Sequence, residues 1–142
     1  MQIQNILVVC VGNICRSPMA EYLLKRQYPQ LHIVSAGISS VTGHAADEKA
    51  ILCMQRLGID MSPHIAQKLN TELIKKADLI LVMSQNQQKH LEQTWPFAKG
   101  KTFRLGHWRG RNVADPYQHE QLVFNETSQL IQDCISDWTQ HI

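Results

Sequence analysis

Short apolar runs alternate with amphipathic stretches along the chain, and this order predicts strands and helices in turn. Residues 4–10 (QNILVVC) form an apolar, β-branched run that suits a buried parallel strand. Ser17 and Pro18 follow. Because Ser is a favoured N-cap and Pro is favoured at the first helical position, a helix is expected to start there and to end near Tyr28, before Pro29.

The rest of the chain continues the alternation. Strands are expected at residues 32–36, 79–83 and 102–105, and helices from 46 or 47 to 57 and over 71–76, 84–92 and 121–141. Gly37 is expected to stop the second strand, and Gly58 to end the second helix. Strands that alternate with helices are typical of an α/β domain. We therefore expect residues 1–142 to form a single domain, with a three-layer α/β/α fold around a small sheet of about four parallel strands.

Composition narrows the classes of function. The chain has 142 residues, of which 44% are hydrophobic, and its formal net charge of +2 is too mild to indicate nucleic-acid binding. The apolar runs are far shorter than a membrane span, and the N-terminus does not resemble a signal peptide, so we expect a cytoplasmic protein that does not insert into a membrane. The four cysteines lack zinc-site spacing and the histidines form no recognisable ligand set, so neither a metal nor another cofactor is expected.

A cysteine and an arginine, Cys10 and Arg16, stand at the two ends of the segment between the first strand and the first helix. A loop of this length can curl so that successive backbone N–H groups point inward and bind an anion, and the positive end of the helix dipole adds to that field. Gly12 permits backbone conformations closed to other residues, and Asn13 tolerates left-handed geometry. Ligands of such folds bind at the carboxyl ends of strands, so this segment is predicted to be a phosphate-binding loop.

The same field favours the thiolate form of Cys10, which is the nucleophilic form of a cysteine. A Ser17 hydroxyl directed at the sulfur would add to this stabilisation. Arg16 carries a planar fork that can hold two phosphate oxygens at once. The spacing of the two residues is a weak signal by itself. The buried strand before it, the glycine within it and the Ser-Pro pair after it favour the phosphate-binding interpretation.

Three segments of the chain together resemble one family. Residues 9–21 (VCVGNICRSPMAE) resemble the signature of the low-molecular-weight protein tyrosine phosphatases, and so do residues 35–37 (SAG) and 115–117 (DPY). The resemblance covers essentially the whole chain. Residues 105–108 (LGHW) and 43–44 (GH) are similar to the bacterial members associated with capsule or exopolysaccharide export.

The resemblance implies a protein-tyrosine phosphatase that hydrolyses phosphotyrosine through a phosphocysteine intermediate. It implies that Cys10 is the nucleophile, that Arg16 holds the phosphate and that Asp115 is the general acid. The substrate-binding residues that it implies lie in the loop and at the walls of the cleft: Val11, Gly12, Asn13, Ile14, Cys15, Ser17, Val41 and Tyr117. The implied partner is a phosphotyrosine protein, the tail of a bacterial membrane tyrosine autokinase that controls capsule or exopolysaccharide export, and the phosphatase is expected to be a monomer.

Several roles stay open at this point. Asp115 precedes a proline, and without the resemblance that pair would be read as a turn. Val41 suits ordinary loop packing as well as a cleft wall. Cys15 matches a second loop cysteine of the family that can form a reversible disulfide with Cys10, but it also suits a small side chain packed behind the loop. Gln118 stands where many members carry a second tyrosine, which leaves the peptide preference open.

Three other functions compete with the phosphatase. A thioredoxin-coupled arsenate reductase resembles this fold and loop, but its chemistry needs two further cysteines after the third strand, and residues 84–95 contain none. A phosphocarrier that holds phosphate on a loop cysteine has no use for an arginine clamp and an acid. A phosphotyrosine-binding module needs neither a nucleophile nor an acid, so the phosphatase is favoured over all three.

Overall fold

The structure, a computed structural model, describes residues 2–142. Strands and helices alternate over most of this range, as predicted, with their ends shifted by a few residues. The strands are β1 (Asn5–Cys10), β2 (His32–Gly37), β3 (Leu79–Val82) and β4 (Thr102–Arg104), and the α-helices are α1 (Arg16–Gln27), α2 (Glu48–Arg56), α3 (Thr71–Lys76), α4 (Gln85–Thr94) and α5 (Gln121–Trp138). α2 ends before Gly58, whose φ of +78° is left-handed, as expected of a glycine that follows a helix.

The strands form one parallel sheet in the order β2-β1-β3-β4, with β1 paired on both sides. The last residue of β1, Cys10, lies opposite Gly37 of β2. Gly37 therefore belongs to the strand, and the prediction that it stops β2 is wrong. A Cβ atom at this position would lie 2.6 Å from the carbonyl oxygen of Val11, so only a glycine lets the loop after β1 pass this close to β2.

Helices cover both faces of the sheet and give the three layers that the alternation predicted. In β1, Ile6, Val8 and Cys10 pack on the side of α1, α2 and α5, whereas Leu7 and Val9 pack on the side of α3 and α4. This alternation follows from the period of two in a strand, and both faces are apolar because both are buried. As a consequence, the side chain of Cys10 lies on the α1 side of the sheet, at the end of β1.

The start of α1 differs from the prediction. The helix begins at Arg16, and Cys15 occupies the N-cap position without a side-chain hydrogen bond to the helix. Ser17 is not the cap. It lies within the first turn, fully buried, and its hydroxyl contacts the sulfur of Cys10 instead of the helix backbone. Pro18 still suits its place, because the first N–H groups of a helix have no intrahelical acceptor.

None of the helices in residues 2–142 is both long and apolar enough to cross a membrane.

Candidate active site

A pocket opens at the carboxyl end of β1, where the loop of residues 11–15 turns into α1. The residues that line it come from three segments of the chain: Cys10, Val11, Gly12, Ile14, Cys15, Arg16, Ser39, Val41, Asp115 and Tyr117. The fold thus brings the nucleophile, the arginine and the acid suggested by the sequence to one cavity. Ser39 also lines the pocket, although no feature of its local sequence predicted this.

The sulfur of Cys10 is held by two polar groups. The backbone N–H of Asn13 donates a hydrogen bond to Sγ over 3.3 Å, and the hydroxyl of Ser17 lies 2.9 Å from it. The side-chain N–H of Asn13 donates to the Ser17 oxygen over 2.8 Å. Because Asn13 fills an acceptor position of that oxygen with its own hydrogen, the hydroxyl hydrogen of Ser17 is free to point at the sulfur. Both contacts therefore stabilise a negative charge on Cys10.

Asn13 sets the shape of the loop from behind the pocket. Its φ is +60°, a left-handed conformation that asparagine tolerates better than most residues, and its side chain is fully buried. Its second amide hydrogen goes to the hydroxyl of Ser35 over 2.9 Å, and its Oδ1 accepts the backbone N–H of Gln67. The loop is therefore fixed by groups that never face the substrate.

Two further residues extend this buried network. Nε2 of His64 lies 2.8 Å from the carbonyl oxygen of Asn13, and the hydroxyl of Ser35 donates to the carboxylate of Glu21 over 2.5 Å. No role was predicted for Glu21, Ser35, His64 or Gln67 from the sequence. Glu21 and Ser35 lie in the family-like segments 9–21 and 35–37, whereas His64 and Gln67 meet Asn13 only through the fold.

Arg16 is placed to bind an anion. Its side chain is buried, Nη1 donates to the carbonyl of Val113 over 2.8 Å, and Nη2 lies 3.7 Å from the Asp115 carboxylate. Nε is buried as well and has no hydrogen-bond partner among residues 2–142. A buried guanidinium with a free N–H is costly unless an acceptor completes it. An oxyanion in the pocket would supply that acceptor.

Asp115 and Tyr117 form the exposed rim of the pocket. The side chain of Asp115 is 47% exposed, and its Oδ1 accepts the backbone N–H of Tyr117 over 3.1 Å. Pro116 between them is buried and ties the rim to the body of the protein. Val11, Val41 and Tyr117 are the partly exposed apolar side chains around the opening. An apolar rim above a polar floor suits a ligand with a ring and an anionic group.

The sequence-predicted residues therefore divide into two groups. Nine of the ten residues that line the pocket were named from the sequence or the resemblance, and Ser39 is the tenth. Asn13 and Ser17 do not line the pocket. They lie beneath it and touch the sulfur, so their side chains support the nucleophile rather than the substrate.

The other cysteines differ from Cys10 in their surroundings. Burial, together with the nearby carboxylates, raises the pKa of the Cys15 thiol far above its usual range, and burial raises the pKa of Cys134 to about 11. Cys53 and Cys134 are buried in α2 and α5, as predicted for core residues. All four cysteines are free thiols.

Comparison with known proteins identifies relatives over the full length of the chain. The family model described as low molecular weight phosphotyrosine protein phosphatase matches residues 5–142. The low molecular weight protein-tyrosine-phosphatase Ptp of Acinetobacter johnsonii is 77% identical over 142 residues, which is 100% of both chains.

Two solved structures share the fold. The tyrosine phosphatase AmsI of Erwinia amylovora has a TM-score of 0.95 at 35% identity, covering 99% of this chain and 94% of that one. Wzb of Vibrio vulnificus, in complex with benzylphosphonate, has a TM-score of 0.94 at 37% identity, covering 99% and 100%. With the family model matching nearly all of the sequence, the chain belongs to the low molecular weight phosphotyrosine protein phosphatases.

Proposed function

We propose that this protein is a cysteine-dependent tyrosine phosphatase in which Cys10, Arg16 and Asp115 carry the reaction, and that residues 1–142 act as one catalytic domain. The observation that carries the proposal is the pocket itself. Its floor holds a sulfur that accepts the N–H of Asn13 and contacts the hydroxyl of Ser17, together with a buried arginine with a free Nε, and its rim holds a carboxyl group. A nucleophile, an anion clamp and a proton donor within one cavity suit phosphoryl transfer.

In the first step, the thiolate of Cys10 attacks the phosphorus of an aryl phosphate in line with the leaving oxygen. The S–P bond forms as the bond from phosphorus to the phenolic oxygen breaks, and Asp115 gives its proton to that oxygen, which leaves as a phenol. Arg16 and the loop N–H groups stabilise the charge on the equatorial oxygens. The free Nε of Arg16 and its Nη2 are the donors available for this contact.

In the second step, water attacks the phosphocysteine. The Asp115 carboxylate accepts a proton from the water, the new P–O bond forms, and the S–P bond breaks to return the Cys10 thiolate and release inorganic phosphate. The hydroxyl of Ser17 stabilises the thiolate both as it is consumed and as it is regenerated. The first step therefore needs a protonated Asp115 together with a thiolate on Cys10.

The walls of the pocket support phosphotyrosine as the substrate class. Tyr117 and Val41 offer apolar surface to the ring of the substrate, and the benzylphosphonate complex of Wzb joins an aromatic ring to a phosphonate in a protein of the same fold. Val41 is small, which leaves the cleft open on its side.

The rival functions lack support from the structure. A disulfide relay of the arsenate-reductase kind needs accessible cysteines beside the nucleophile, but Cys53 and Cys134 are buried within α2 and α5. A phosphocarrier or binding module would leave the carboxyl group of Asp115 at the pocket rim without a role. The phosphatase gives Cys10, Arg16 and Asp115 each a role.

For the physiological role, we propose a phosphotyrosine protein as the partner, namely the tail of a bacterial membrane tyrosine autokinase, and a place in the control of capsule or exopolysaccharide export. The support is the likeness of residues 105–108 and 43–44 to members of that subgroup and the similarity to AmsI and Wzb. The same proposal includes a monomeric protein that works in the cytoplasm.

Hydrolysis of para-nitrophenyl phosphate, measured with chelator present, tests the proposed activity. Wild-type protein is expected to turn over the substrate, vanadate to block the reaction, and Cys10→Ser to abolish it while keeping the thermal melting temperature. A folded, fully reduced wild-type protein without turnover would rule out the enzyme. Phosphotyrosine and phosphoserine peptides, compared at equal concentration, then test the substrate class.

A further inference from the structure

A lysine outside the pocket contacts the segment that carries Asp115. Lys49 lies in the first turn of α2, and its ammonium group donates to the carbonyl oxygen of His119 over 2.6 Å. The backbone carbonyl of the same lysine accepts a hydrogen bond from the side chain of Gln121 over 3.1 Å. Lys49 thus contacts the chain on both sides of the point where residues 114–120, here called the acid loop, enter α5.

The acid loop has few other attachments. Within residues 2–142, the ammonium of Lys49 makes the one hydrogen bond between a side chain outside the loop and the loop backbone. The other hydrogen bonds of the loop run within it or into α5, and Pro116 is its one buried residue. Asp115 itself meets Arg16 only at 3.7 Å. A segment that is exposed and weakly bonded is mobile unless a contact holds it.

The position of Lys49 is unfavourable for its own helix. A cation in the first turn opposes the positive end of the helix dipole, and α2 has its acidic residues Asp47 and Glu48 there as expected. The Lys49 residue is partly buried, and its ammonium lies 5.8 Å from the centroid of the Phe124 ring. The helix dipole therefore does not favour the lysine, and the contacts that hold its ammonium are those with the acid loop and with the Phe124 ring.

We propose that Lys49 is a positioning residue for the general acid, holding the acid loop so that the carboxyl group of Asp115 stays at the rim of the pocket. This inference rests on the proposed function, because it assigns Lys49 a role in the proton transfer made by Asp115. Lys49 does not touch the substrate. It acts through the backbone of His119 on the fraction of time that Asp115 spends within reach of the leaving oxygen.

The test compares two substrates that differ in their need for a proton. The tyrosine of phosphotyrosine is a poor leaving group and needs a proton from the acid. Dinitrophenyl phosphate releases dinitrophenolate, which is stable without that proton. Lys49→Met is expected to lower kcat/KM for phosphotyrosine about tenfold, the loss that corresponds to one charge-assisted hydrogen bond, and to leave kcat/KM for dinitrophenyl phosphate unchanged. Lys49→Arg, which keeps the donor, is expected to restore most of the loss.

Lys101→Met is the matched control. Lys101 is also half-buried, donates to the backbone carbonyls of Ile74 and Ala77 over 2.8 and 2.7 Å, and lies 6.0 Å from the ring centroid of Phe97, but it contacts the end of α3 rather than the acid loop. Its loss is expected to lower the melting temperature without changing the ratio of the two kcat/KM values. A drop in that ratio for Lys49→Met alone therefore reports on the acid and not on stability.

A second readout uses the acid itself. In an Asp115→Asn background, Lys49→Met is expected to cause no further loss with phosphotyrosine, because there is no acid left to position. The proposal for Lys49 would be overturned by an unchanged ratio of the two kcat/KM values or by additive losses in the double variant. Either result would leave the proposed phosphatase activity in place. Wild-type protein without turnover would instead refute the proposed function.

Discussion

Removal of the Ser17 hydroxyl tests how the loop activates its nucleophile. In the structure, the hydroxyl accepts from the amide of Asn13 and lies 2.9 Å from the sulfur of Cys10, so its own hydrogen can donate to a thiolate there. A hydrogen bond to a charged group is worth about 1.5–3 kcal/mol, and the lower value suits a sulfur acceptor. Each 1.36 kcal/mol is a factor of ten, so Ser17→Ala is expected to reduce the thiolate population of Cys10 about tenfold.

Alkylation by iodoacetate measures this directly, because only the thiolate reacts. The rate of modification of Cys10 is expected to be about tenfold lower in Ser17→Ala than in the wild-type protein under the same conditions, and kcat/KM is expected to fall by a similar factor. Stability should fall as well, by about 1–3 kcal/mol, because one buried N–H of Asn13 loses its acceptor.

Ser35→Ala separates the two effects. The hydroxyl of Ser35 accepts the other amide hydrogen of Asn13 over 2.9 Å, so its loss also leaves a buried N–H without a partner, but it does not touch the sulfur. Ser35→Ala is expected to destabilise the protein by a similar amount and to slow alkylation far less than Ser17→Ala. If both variants slow alkylation equally, the Ser17 hydroxyl does not stabilise the thiolate and its role is only to hold Asn13.

Two further predictions concern ionisation elsewhere in the fold. Two backbone N–H groups at the start of β1 donate to the carboxylate of Asp78, which holds its pKa below the usual range. The carboxylate therefore contributes its full stabilisation of the folded protein at a pH above the pKa of an unfolded Asp, about 3.9. This contribution is lost as the pH falls through the lower pKa of Asp78 in the folded protein. Urea unfolding should find Asp78→Ala less stable by about 1 kcal/mol near neutral pH, with the difference shrinking in acid; a difference independent of pH would contradict this. Burial raises the pKa of Cys15 and of Cys134, the latter to about 11. Iodoacetamide near neutral pH should therefore label Cys10 alone in the folded protein. Mass spectrometry of the peptides checks this prediction, and label on Cys134 would contradict it.

The fold was predictable from the sequence because its signals are local. The apolar run of β1 and the glycine after α2 each act over a few residues, and each appears where it was expected. The start of α1 was not predicted correctly, because two local signals competed for the side chain of Ser17. Ser17 reads as an N-cap, but in the folded protein its hydroxyl is taken by Cys10 and Asn13.

The site was predictable only in part, for the same reason. Cys10 and Arg16 lie within one short segment, so their spacing could be read. The groups that shape the loop come from far along the chain: His64 and Gln67 reach Asn13 across more than fifty residues, and no sequence pattern of single residues marks such contacts. The ammonium of Lys49 reaches the acid loop across seventy residues, which is why its contact appears only in the structure.

The central claim is that Cys10 forms a covalent bond to phosphorus during turnover. The most direct measurement is rapid quenching of the reaction with dinitrophenyl phosphate, followed by mass spectrometry of the peptides, in wild-type protein and in Asp115→Asn. The account predicts a phosphate adduct on Cys10 in both, with more of it in Asp115→Asn, because that variant lacks the base for the attacking water. Turnover without an adduct on Cys10, or an adduct on another residue, would contradict it.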